Sequence, residues 1–156
     1  MKKNSLFAVL IAVVVLTGTA FANTGNAVSK AVKESFQKEF AGAQSVSWET
    51  LVEKDIYHAS FIYNNERLNA YFDGNGSLLA TGRYLKAENL PMLITKGISD
   101  RYSRYDIVET IEFVTGNETS YIVKVENEKV KLYIQAYIDG SSTVLKKEKK
   151  NSVAKL

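Results

Sequence analysis

The sequence predicts an α+β fold of two tandem helix-plus-four-strand repeats, forming one antiparallel sheet with its helices on one face. Three observations carry this. Apolar residues recur at helical spacing near the start of each half. Period-two alternation follows, cut by turns rich in glycine and asparagine. A numbering shift of 62 superposes Val32 on Ile94, Phe36 on Ile98, Phe40 on Tyr102, Phe61 on Val123 and Asn65-Glu66 on Asn127-Glu128. Farther on, Asp73-Gly74 answers Asp139-Gly140 at a shift of 66. The boundaries are a signal peptide at 1–22, a first repeat at 23–91, a second at 92–150 and a C-terminal tail at 151–156.

The first helix follows from Val28, Val32, Phe36 and Phe40, which form one apolar stripe opposite Lys30, Lys33, Glu34, Lys38 and Glu39, with Gly42 as its stop. Alternation then begins. Val46, Trp48, Thr50 and Val52 point one way, and Ser47, Glu49 and Glu53 the other, with Leu51 an exception. Tyr57, Ala59, Phe61 and Tyr63 make a second strand, Asn64-Asn65-Glu66 a turn, and Leu68, Ala70 and Phe72 a third strand. Asp73-Gly74-Asn75-Gly76 is a hairpin signal, since Gly and Asn tolerate positive φ; a fourth strand runs from Ser77 to Leu85. Leu90-Pro91 opens the second helix, whose stripe is Ile94, Ile98 and Tyr102. Gly97 weakens that helix by roughly 1 kcal/mol relative to alanine. Strands are predicted at Asp106–Val114, Thr119–Val125, Val130–Ile138 and Thr143–Glu148. Trp48 is expected in the core. Each half, at about 60 residues without staples, should need the other.

The N-terminus predicts export. Lys2 and Lys3 precede an apolar run at Leu6–Leu16 and an A-x-A site at Ala20-Phe21-Ala22. The run is too short to span a bilayer, which takes about 20 residues. Cleavage after Ala22 into a bacterial periplasm or medium leaves no integral membrane segment. The full chain holds 20 Lys and Arg against 17 Asp and Glu. Losing Lys2 and Lys3 leaves the mature protein near neutral, without the broad positive field that nucleic-acid binding requires. The lysines crowded at Lys146, Lys147, Lys149, Lys150 and Lys155 read as a guarded edge strand and solvated tail, the alternative being a contact for anionic lipid or an acidic partner.

Most chemistry is excluded by composition. With no cysteine there are no disulfides, thiolate metal sites or cysteine nucleophiles. The single histidine, His58, alternates with Ile56, Ser60 and Ile62 and is expected toward solvent; no G-x-S-x-G elbow exists to give it a nucleophile. Asp73-Gly74-Asn75-Gly76-Ser77 begins as calcium loops do, but Leu78 stands at the sixth position and Tyr84 at the twelfth, so it reads as a turn. No metal or cofactor is implied.

Several of these residues form a recognisable set: Phe36, Phe40-Ala41-Gly42-Ala43, Val46-Ser47-Trp48, Ala70-Tyr71-Phe72-Asp73-Gly74-Asn75-Gly76, Leu90-Pro91 and Tyr102. With the export signal, the set resembles the β-lactamase-inhibitor-like, PepSY-like family of secreted bacterial proteins. The resemblance implies two helix-plus-four-strand units side by side, similar to the β-lactamase inhibitor protein, in which the concave sheet face grips the partner enzyme. This chain departs from that protein in having no cysteine, and no inhibitory residue carries over to a position here.

The functional candidates lie on the sheet face expected to be free of helices. If Leu68, Ala70 and Phe72 face the helices, Arg67, Asn69 and Tyr71 face outward; on the matching strand Tyr133, Gln135 and Tyr137 do the same. Tyrosine and arginine on a rigid sheet suit a binding hot spot, although tyrosine is also ordinary cross-strand filler. The expected function is a periplasmic or secreted non-enzymatic binding module for an exported protein or envelope ligand. The alternatives are a PepSY-like modulator or inhibitor of an exported hydrolase (peptidase or β-lactamase), and an enzyme working through carboxylates alone.

Overall fold

The computed structural model describes residues 28–51 and 55–150. The expectations for the signal segment, the tail, and the side chains of Val52 and Glu53 lie outside them. Helix α1 (Lys30–Glu39) leads to strands β1 (Gln44–Leu51), β2 (Ile56–Tyr63), β3 (Glu66–Asp73) and β4 (Leu78–Leu85). After a 3-10 turn at Ala87–Asn89 come helix α2 (Met92–Arg101) and strands β5 (Asp106–Thr115), β6 (Glu118–Glu126), β7 (Val130–Ala136) and β8 (Ser142–Lys149). The strands follow one another in chain order as an eight-stranded sheet.

The predicted α+β class of two helix-plus-four-strand repeats is therefore corrected to a mostly β fold. Among the described residues each helix has only ten residues, about 15 Å of length, whereas eight strands of seven to ten residues make up most of the remaining regular structure. In each unit the helix packs on one parity of strand residues, as expected, but the expected bare second face is corrected as well. Asn69, Ala70, Tyr71 and Phe72 are consecutive and all buried, as are the five residues Leu132–Ala136. Successive strand residues point to opposite faces, so both faces of these strands carry buried side chains.

The chain divides into two compact units. One holds the described residues up to Arg83 together with Val114–Glu118; the other holds Tyr84–Phe113 and the described residues from Thr119 onward. In the first, Ser29 caps α1 by accepting the Val32 N–H at 3.2 Å. The stripe then buries Val32 and Phe36 against Ala59, Phe61, Ala70 and Phe72. Phe36 meets Phe61 edge-on at 4.9 Å and Trp48 at 5.2 Å. In the second unit, Leu90, Ile94 and Ile98 pack on Tyr121, Val123, Val125, Leu132, Ile134 and Ala136.

A tight turn seats each helix. In the first unit Gly76 N–H donates to Asp73 O and Asp73 N–H to Ser77 O; in the second Gly140 N–H donates to Tyr137 O and Tyr137 N–H to Ser141 O. Gly140 thus occupies the place of Gly76, and the sequence pairing of Asp73-Gly74 with Asp139-Gly140 is corrected. Both glycines have positive φ, +87° and +83°. A Cβ on Gly76 would stand 2.7 Å from the Ala31 carbonyl oxygen, and one on Gly140 3.1 Å from that of Leu93. Gly97 serves the same seat from the helix side, because its Cβ would lie 2.8 Å from the Gly140 oxygen.

Candidate functional site

Register builds the first unit's site. Glu49 lies opposite His58, His58 opposite Tyr71, and Tyr71 opposite Ala80, so these four residues form one row across the sheet. His58 is 6% exposed and Tyr71 1%, their rings stacked at 4.7 Å and 9°. His58 Nδ1 lies 3.1 Å from Glu49 Oε2, and Nε2 3.0 Å from Asn69 Oδ1. The expectation of a solvent-facing His58 is corrected: flanking carboxylate and amide groups satisfy both ring nitrogens, which makes burial affordable. With either orientation of the Asn69 amide, neither nitrogen is left for a nucleophile or a metal.

The six expected contact residues separate by burial. Arg67 is exposed and Tyr137 half-buried. Asn69, Tyr71, Tyr133 and Gln135 are buried, at 4%, 1%, 8% and 4% exposure, so their expected outward display is corrected. In the first unit the cover is visible in the row itself, where Ile56, His58 and Ala80 bury alongside Tyr71. In the second unit Tyr133 sits between Lys124 and Lys146 on the neighbouring strands, both ammonium groups 5.6 Å from its ring centroid. Its hydroxyl donates to Glu148 Oε2 at 3.3 Å. Burial, then the Glu148 carboxylate, raise the Tyr133 phenol above its ordinary range. The Lys146 hydrogen bond holds Glu148 below the usual carboxylate range. Gln135 Nε2 and Ser120 Oγ are buried without a hydrogen-bond partner among the described residues.

A feature passed over in the sequence lies beside β1. Lys33, Phe36 and Gln37 of α1, with Phe40 at its C-cap, face Val46 and Trp48 across an open groove of about 260 Å³. Trp48 was expected as core and is half-buried, packed against Phe36 but left partly uncovered at the edge of the sheet. The helix signal was present: Lys33, Phe36, Gln37 and Phe40 stand at i, i+3, i+4 and i+7, a second stripe overlapping the core stripe.

Among the described residues, no group of three metal-ligating side chains is placed to hold an ion, and no helix is long and apolar enough to cross a membrane.

Against solved structures the fold is familiar. A presumed periplasmic protein of Bacteroides eggerthii superposes with a TM-score of 0.69 at 14% identity, covering 78% of this chain and 88% of that one. A BLIP-like protein of Bacteroides fragilis gives 0.64 at 20% identity, over 90% and 96% of the two chains. A DUF2874 family protein of Bacteroides ovatus gives 0.67 at 18%, over 80% and 89%. The chain has the fold of these proteins. No protein-family model matches it, and no curated protein does.

Proposed function

We propose that this is a periplasmic or secreted, non-enzymatic module that binds another exported protein. The observation that carries the reading is the Glu49–His58–Asn69 cluster: the one histidine, the residue best suited to proton transfer, is locked on both sides and stacked on Tyr71. It serves as structure rather than as a base. The export signal at Met1–Ala22 and a fold shared with a presumed periplasmic neighbour support the location. Arg67 and Tyr137 are the accessible members of the expected contact set, each on its own unit, while Asn69, Tyr71, Tyr133 and Gln135 act beneath the surface by fixing its shape. Cross-linking of the purified chain in an envelope extract tests this. A saturable protein partner is expected, with no turnover across ester, peptide and glycoside panels. Turnover lost on substitution of one Asp or Glu overturns the reading.

A second reading, inhibition of an exported hydrolase, is supported by the fold shared with a BLIP-like protein and by the PepSY-like resemblance of the sequence. Titration of the chain against β-lactamase and periplasmic peptidase activities separates it from binding without inhibition.

A further inference from the structure

We infer that the outer edge of β1 and the groove beside it receive an extended segment of the partner protein, added to the sheet as a further strand; this rests on the binding-module reading above. In the strand order β1 and β8 are the two ends, and β2 is the only described strand paired with β1. Alternate backbone N–H and C=O groups of β1 therefore point away from the sheet, a template for another strand. The two ends are treated differently. Strand β8 carries Lys146, Lys147 and Lys149, with Lys150 just beyond, the charge that keeps an edge from pairing. Strand β1, from Gln44 to Leu51, contains no lysine, arginine or proline. Its one irregularity lies at its start, where Ser45 has φ +52° and the register shifts between Gln44 and Ser47. From Ser47 to Leu51 it is regular and free to pair.

The groove fits the side chains of such a strand. Its walls are Phe36 and Phe40 on the helix side and Val46 and Trp48 on the strand side. Val46 is 37% exposed, an apolar side chain left partly open beside the groove. The volume, about 260 Å³, falls below the roughly 300–1,000 Å³ of pockets that enclose a small molecule. An added strand would place same-face side chains about 7 Å apart, one filling the groove and the next reaching its rim. Lys33 is the only charged residue lining the groove, is exposed, and makes no ion pair among the described residues, whereas nearby Lys30 pairs with Glu34 at 3.6 Å. The occupant is thus an extended segment with an aromatic side chain and, two positions away on the same face, an aspartate or glutamate.

Trp48 is the only tryptophan, so its fluorescence reports from the groove wall. The probe is a panel of capped seven-residue peptides alternating valine and threonine, with a central phenylalanine and a glutamate placed in turn at every other position. A saturable blue shift of Trp48 emission is expected, with hydrogen-exchange protection gained at the alternate, outward-pointing amides of Ser47–Leu51. Lys33→Glu should weaken the best peptide about two- to fivefold and favour its lysine counterpart. Val46→Lys, at an exposed position, should abolish binding with an unchanged circular dichroism spectrum. The proposal is overturned by equal binding of a backbone N-methylated peptide or by protection falling away from β1. It is also overturned if no peptide shifts Trp48 up to about 1 mM. Protection of β1 that rises with protein concentration and no peptide makes the occupant a second copy, and overturns it too. Failure of the peptides while an envelope partner still cross-links rejects strand addition alone; no cross-linked partner rejects the binding-module reading with it.

Discussion

Replacing Gly97 with alanine removes the least helical residue of α2 and, on propensity alone, should gain about 1 kcal/mol. The new methyl would stand 2.8 Å from the Gly140 carbonyl oxygen, so the turn or the helix must move. Gly97→Ala is expected to destabilise the protein, read as a lower urea midpoint with an unchanged slope. A gain would show that the seat is slack. Asn69 gives a second test. It lies 3.0 Å from His58 Nε2 inside the protein, and Asn69→Ala strands that nitrogen at a cost of about 1–3 kcal/mol. The sequence showed Asn69 and His58 on strands with the correct parity, since alternation decides which face a side chain takes. It did not show their burial, because parity says nothing about what covers a face. Reading the two hairpin registers together would have placed Glu49, His58 and Tyr71 in one row and disclosed the cluster.

Elements carry their own predictions. A core tryptophan replaced by alanine costs roughly 3–5 kcal/mol; with the indole half-buried, Trp48→Ala should cost about 2 kcal/mol. Equilibrium unfolding checks it. The pairing of β7 with β8 predicts the pH response. Glu148, depressed by Lys146, adds stability that is in place above the carboxyl's unfolded value and drains away as pH falls through its lowered native value. Tyr133, raised by burial and by Glu148, adds stability that is in place below the phenol's unfolded value and is lost as pH climbs through its raised native value. Glu148→Gln should flatten the acid limb of a stability–pH profile, and Tyr133→Phe the alkaline limb. Helix and strand positions were legible because stripes and turn residues are strong local signals: α1 and α2 lie on their predicted stripes. The groove was not, because Trp48 at an edge and Trp48 in a core have the same sequence neighbours.

At the scale of the molecule, the units do not follow a simple cut of the chain, since Val114–Glu118 belongs with the residues up to Arg83. A fragment of residues 23–91 lacks that piece and, without disulfides or metal, is of a size that is marginal on its own. It should show no cooperative urea transition, while the intact chain shows one or more. Two amphipathic stripes weighed heavily in the sequence-based class, yet each covers only ten residues, and the strands outweigh them. Structural neighbours at 14–20% identity superpose with TM-scores of 0.64–0.69, so the arrangement survives with few residues held in common. Gly76 and Gly140 offer a way to trace it. Where a carbonyl crowds the place a methyl group would take and φ is positive, drift has almost nowhere to go. Distant kin should betray themselves by two invariant gaps in the side-chain pattern, each a fixed stretch of chain downstream of a helical turn, long after their hydrophobic lettering has been rewritten.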